Sequence, residues 1–233
     1  MNATILVLGL AAAVAAAVRS TWSPCGQSML SQLTPVGEAS RGYRYRTTAA
    51  WFVIGALVGG ATLGGVMAVL AAAVDAGVLG FAPPFCKRQV NEYWLGRYRA
   101  WVYGSGFGWQ IGTGVTTYIM TAAVFLAAAL GALTGGPVAA LAVGVCFGLV
   151  RGLAVLLTAR LHSTAELFAL HRRFDALGEP VRRAVIGVQL AVAVIAVGAA
   201  RGLVAAAIAL AVLAGAGLVL WAARRRVPRA ITA

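Results

Sequence analysis

Charge is scarce in this chain. Only 11% of its 233 residues are Asp, Glu, Lys or Arg, and just six of those are acidic. A soluble domain carries roughly 25% charged residues. With 61% hydrophobic residues and a mean hydropathy of +0.87, too little polar surface remains to cover a globule in water. That excludes a water-soluble domain and leaves one membrane domain, with no room for a second folded unit. Lysine is nearly absent, Lys87 standing alone against 18 arginines, which points to a high-GC genome rather than to a mechanism. Cysteine is limited to Cys25, Cys86 and Cys146, without a Cys-x-x-Cys, and the two histidines are distant from them. No metal cage is expected from such a set, and no pattern marks a haem, quinone or other cofactor site.

What charge there is has the wrong distribution for nucleic-acid binding. The formal net charge is +13, but the arginines sit in short runs between apolar spans rather than as a patch on a polar domain. That is the pattern of basic cytoplasmic loops between membrane helices. Residues 3 to 18 are apolar, with no positive region before them and no small-residue cleavage site at Trp22-Ser23-Pro24-Cys25. They read as a first membrane helix rather than a removable leader, and Trp22 and Pro24 stand where a lipidated cysteine would need small residues.

A membrane helix needs about 20 apolar residues. The run 3–34 exceeds that and is interrupted at Ser23-Pro24-Cys25-Gly26, so it reads as a kinked or half-unwound helix. Arg41, Arg44 and Arg46 follow, with Tyr43, Tyr45 and Trp51 as an interfacial belt. The run 48–82 is either one long helix ending near Asp75 or a hairpin of two short spans turning at Gly64-Gly65. The hairpin is the expectation, because it gathers every strongly basic loop on one side. Spans near 102–131 and 138–158 come next, then a basic stretch 161–183. That stretch reads as an interfacial helix whose Leu161, Phe168, Leu170 and Phe174 touch the bilayer. The last run, 184–222, splits at Arg201-Gly202. The expected fold is therefore an all-α bundle of six or seven spans in the cell membrane, N-terminus outside and C-terminus cytoplasmic. Its parts are a first half over 1–82, a basic and aromatic cytoplasmic loop over 83–101, a second half plus an extra span over 102–222, and a basic tail over 223–233.

The halves resemble each other. Trp22-Ser23-Pro24-Cys25-Gly26 can be laid over Trp109-Gln110-Ile111-Gly112-Thr113, and the 53–59 stretch over 142–148. An inverted three-plus-three repeat with broken first helices follows, and such repeats place a site at the midplane. A first helix carrying Ser23-Pro24-Cys25, an arginine loop and Phe52-Val53-Ile54-Gly55 resembles the CcdA/DsbD transmembrane family. The resemblance covers residues 5–160 loosely. It implies thiol–disulfide transfer across the membrane in cytochrome maturation, a thioredoxin-like partner, and Cys25 as the reactive residue. The second family cysteine is missing, since Gly108-Trp109-Gln110-Ile111-Gly112 occupies its place, and Cys146 is the replacement candidate. A small-solute transporter on a related scaffold, or an accessory subunit of a larger membrane complex, are the other readings. Whether the chain is an enzyme stays open.

Intramembrane ions mark pathways or structural pairs. Arg19, Asp75 and Arg151 lie within apolar spans, and Asp75 with Arg19 or Arg151 is the expected ion pair. Gln27 on the first helix, with Gln110 and Thr113 on the glycine-rich entry 103–114, would line a polar cavity. Expected partners are the lipid bilayer and other membrane subunits. The Trp/Tyr/Arg mixture over 89–99 anchors an interface or docks a cytoplasmic protein.

Overall fold

The computed structural model describes residues 2–75, 93–113, 123–134 and 136–226. Side chains are not described at 64–75 or at several positions of the last helix. Every regular element among the described residues is helical. Four helical stretches are long and apolar enough to cross a membrane, Ala3–Ser20, Tyr45–Leu63, Pro137–Thr158 and Thr164–Ala199, and the chain is membrane-associated on that ground.

Helix boundaries follow local chemistry. The first helix, α1 (Asn2–Ser20), gives way to α2 (Pro24–Gln32) through a short turn. There the Ser23 hydroxyl accepts from the Gly26 N–H and Pro24 opens the helix, a position where its missing N–H costs nothing. Thr34 and Pro35 repeat that pairing at α3 (Pro35–Ser40). The long central helix α4 (Tyr45–Asp75) follows, then a single turn, α5 (Trp94–Arg97), and α6 (Ala100–Thr113). After α7 (Ala123–Leu133), Gly136-Pro137 starts α8 (Pro137–Leu153), which tightens into a 3-10 turn over Ala154–Thr158. Ser163 caps α9 (Thr164–Arg201), and Gly202 ends it with a φ of +87°, a left-handed conformation glycine adopts freely. The chain returns in α10 (Leu203–Arg226).

Glycine packs the centre of the bundle. A Cβ added at Gly55 or Gly59 of α4 would strike the carbonyl oxygens of Ser105 and Trp109 on α6. Added at Gly108 or Gly112 of α6, it would strike those of Phe52 and Ala56 on α4. On the other side Gly60 meets Gly144, and Gly148 meets Ala56, so α4 also lies backbone against backbone with α8. These are small-xxx-small stripes, which let helices approach closely without a hydrophobic driving force. The register makes α6 parallel and α8 antiparallel to α4. A second apolar cluster joins α1, α7, α8 and α9 through Leu8, Ala12, Ala16, Val124, Leu130, Val143, Phe147, Val185 and Val192.

Two expectations are corrected here. No turn interrupts α4 at Gly64-Gly65, which lie inside one 31-residue helix. Two helical glycines cost about 2 kcal/mol together, whereas each backbone group left unsatisfied in hydrocarbon costs several. The segment 161–183 is likewise not a separate interfacial helix, because α9 runs unbroken through Pro180 for 38 residues. At 1.5 Å per residue that is about 57 Å, nearly twice the hydrocarbon thickness. Its charged N-terminal half therefore extends beyond the apolar zone. Phe174 is buried there against Trp22, their rings 4.8 Å apart, rather than facing lipid.

The start of α4, the ends of α1 and α8 and the helices α2, α3 and α5 gather at one end of the bundle, where Trp22 and Ser31 reach this half of α9, and together they form a cap. The undescribed stretches 76–92 and 114–122 contain Cys86 and part of the aromatic loop, so expectations on those residues lie outside the described structure.

Candidate functional site

The break between α1 and α2 organises the cap. The Trp22 indole N–H donates to the Phe174 carbonyl at 2.7 Å, and the Ser31 hydroxyl lies 2.9 Å from His171 Nε2, so two polar contacts fasten α9 across this break. Cys25, the second residue of α2, points inward and is only 2% exposed, packed with Met29, Leu33, Phe52 and Val155.

Beside Cys25 lies Arg151, near the end of α8 and 3% exposed. One guanidinium nitrogen, Nη2, reaches the Ser20 carbonyl at a long 3.4 Å, and the group sits 5.7 Å from the centre of the Phe147 ring. No carboxylate forms an ion pair with it among the described residues. Arg151 lines a cavity of about 20 Å³ together with Thr21, Gly26, Leu30, Phe52 and Ala154. That is room for a single water-sized particle.

Glu38, on α3, forms the second buried polar centre, and its side chain is fully buried. Oε1 accepts from Arg41 Nη1 at 2.6 Å; Oε2 accepts from Thr48 Oγ1 at 2.5 Å and from Tyr103 Oη at 2.6 Å. Arg41 also donates weakly to the Gln32 carbonyl at the end of α2. One carboxylate thus ties α3 to the first turns of α4 and α6. Nearby, Thr158 donates to the Leu33 carbonyl at 2.7 Å, and Tyr45 donates to the Val155 carbonyl at 2.7 Å, holding the 3-10 turn against the same region. Buried charge persists only when paired and hydrogen-bonded, and Glu38 meets that condition.

Sequence reasoning missed this centre, because Glu38 sits in a short polar connection and not in an apolar span. Its rarity was the available signal, since it is one of six acidic residues and stands three before an arginine. Of the residues singled out, Arg151 and Cys25 are brought together. Arg19 is half-buried in the last turn of α1, where a cation complements the helix dipole. Asp75 is the last residue of α4, with its side chain outside the described set. Gln27 is half-buried on α2, while Gln110 and Thr113 lie on α6, where the Thr113 hydroxyl donates to the Gln110 carbonyl at 2.9 Å. Ile111, between them, joins the packed cluster around Cys25. Trp109 to Thr113, matched by sequence to the broken Trp22 stretch, lie inside continuous helix. Cys25 and Cys146 are both free thiols.

The fold and its buried centres describe a membrane-type helical bundle, and comparison with known proteins gives it relatives. No family model matches the chain, and no solved structure matches it. It is 34% identical over 175 residues to the methylamine utilization protein MauF of Paracoccus versutus, covering 64% of each chain. It is 34% identical over 161 residues to MauF of Methylophilus methylotrophus, covering 58% of this chain and 56% of the relative. With MauF of Paracoccus denitrificans the identity is 32% over 177 residues, covering 66% and 64%. The matches span 56–64% of the length of these curated relatives.

This corrects the resemblance drawn from Ser23-Pro24-Cys25. The similarity points to MauF-type proteins and not to the CcdA/DsbD family. Thiol–disulfide transfer, cytochrome maturation and solute transport lose their support with it. A three-residue motif at a helix break is explained by the break itself: Ser23 caps, Pro24 starts the helix, and Cys25 fills a packed core position.

Proposed function

We propose that this chain is a cell-membrane component of methylamine utilization. The single observation that carries the reading is the 32–34% identity to MauF proteins over 58–66% of the chain. The architecture supports it in kind: stripes of glycine lock α4 between α6 and α8, and a polar cap closes one end.

In this reading the cap faces the cytoplasm. Arg41, Arg44, Arg46, Arg97, Arg160, Arg172 and Arg173 all belong to segments at the capped end, as the positive-inside rule favours. The chain then starts outside and ends in the cytoplasm. The stretches 53–59 and 142–148, aligned as internal copies, pack antiparallel to each other, which fits an inverted repeat. The cap and the two membrane halves act as one domain organised around Glu38 and Arg151.

Deleting the gene in its own host tests the function. Growth on methylamine should fail while growth on ammonium with an unrelated carbon source continues. Unchanged growth on methylamine would overturn the reading.

A further inference from the structure

The geometry points to the groove between the start of α4 and the 3-10 turn as a site for one anionic phospholipid, with an acyl chain along α4 and the headgroup phosphate at Arg46 and Arg160. The groove offers about 590 Å³, within the range of roughly 300–1,000 Å³ in which proteins hold whole small molecules. Its α4 wall is built of Tyr45 and Arg46, then Ala49 and Ala50, then Val53 and Ile54. Each pair lies one helical turn beyond the last, so all three share one face. From Arg46 to Ile54 this wall runs about 12 Å along the helix axis. Leu156 and Ala159 form the other wall. The Tyr45 hydroxyl donates to the Val155 carbonyl at 2.7 Å and so fixes that turn against α4. The small alanines leave the groove open, and Ile54 and Leu156 stay 46% and 49% exposed along it.

Charge is confined to one end of this groove. Arg46 lines it and is exposed, and the exposed Arg160 directly follows Ala159 of the opposite wall. No carboxylate lines the groove, and among the described residues no ion pair engages either arginine. Beyond Tyr45 and Arg46 every lining side chain is apolar. A free inorganic anion would use the arginines and leave the apolar walls empty. A lipid without net charge would fill the walls and leave the cationic end uncompensated. A phospholipid of net negative charge satisfies both, since the planar guanidinium fork matches phosphate oxygens and arginines beside a membrane surface attract anionic headgroups. The site requires only that the capped end lie at a membrane surface, and it is independent of the role in methylamine utilization.

The test uses the full chain purified in an uncharged detergent. Its unfolding midpoint is followed as dioleoyl phosphatidylglycerol or dioleoyl phosphatidylcholine is added. Phosphatidylglycerol should give a saturable rise on the order of 3–5 °C at tenfold excess over Kd, and phosphatidylcholine a clearly smaller one. Arg46→Gln should erase the difference between the two lipids. Ala50→Trp keeps both arginines, fills the groove and should abolish the rise with phosphatidylglycerol. Arg173→Gln removes the same charge from an exposed position on α9 outside the groove and should leave the lipid preference intact. Glycerol phosphate, a headgroup without acyl chains, should give no rise. Equal rises with the two lipids, a rise with glycerol phosphate alone, or a lipid preference that survives Arg46→Gln would overturn the proposal. So would a dimer that forms without lipid and dissociates in Ala50→Trp, which would assign the groove to a second copy of the chain.

Discussion

Substituting alanine at Gly108 isolates what holds the bundle together. An added Cβ there would collide with the Phe52 carbonyl oxygen and stand 2.8 Å from the Ala56 nitrogen, both backbone atoms that no rotamer change can move. Helices α4 and α6 must separate, and the neighbouring close approaches at Gly55, Gly59 and Gly112 loosen with them. Overpacking of this kind costs about 1–3 kcal/mol, and lost Cα–H···O contacts about 0.5–1 kcal/mol each. Alanine's better helix propensity returns about 1 kcal/mol. The net expectation is a loss of roughly 2–3 kcal/mol, or a midpoint lower by about 4–10 °C. Gly187 on α9 supplies the control, because nothing lies within 4 Å of a Cβ built there. Gly187→Ala should be neutral or stabilising by up to about 1 kcal/mol. Thermal unfolding of both variants in the same detergent separates the effects. Equal shifts in the same direction would refute the close-packing account, since the two substitutions are chemically identical.

The cap makes its own predictions. Glu38→Ala leaves Arg41, Thr48 and Tyr103 facing an empty site and should cost about 3–5 kcal/mol, while Tyr103→Phe, which removes one charged hydrogen bond, should cost about 1.5–3 kcal/mol; denaturant titration checks the order. Trp22→Phe keeps the stacking on Phe174 but loses the indole bond, worth about 1 kcal/mol, and should raise hydrogen exchange across the 164–183 half of α9 more than elsewhere. In a cysteine-free background, Arg172→Cys should react with an impermeant maleimide only in inverted vesicles, and Leu203→Cys, 88% exposed at the opposite end, only in intact cells or right-side-out vesicles. Labelling of both from one side would break the proposed orientation.

The membrane class was legible because composition alone forbids a soluble fold, and the break before α2 was legible because Ser23-Pro24 is a local cap signal with a local cause. The path of α4 was not. Gly64-Gly65 looked like a turn, but glycine has opposite uses in water and in a bundle, and here the run of glycines along α4, α6 and α8 serves contact. Only the tertiary arrangement distinguishes the two. The continuity of α9 was hidden for a related reason, since Pro180 and a cluster of arginines mark an edge by local rules while the helix simply projects past the apolar zone. At the candidate site, Arg151 announced itself as a charge in an apolar run. Glu38 did not, because its partners come from Arg41, Thr48 and Tyr103, up to 65 residues away, and long-range pairing leaves no periodic trace. The thiol reading failed because a capped helix start and a redox motif look alike over three residues.

The most direct test is complementation. This chain would be expressed in Paracoccus denitrificans lacking its own MauF, with methylamine as the growth substrate. Restored growth is the predicted result. Failure to grow, with the protein accumulated and folded in the membrane fraction, would contradict a role in methylamine utilization.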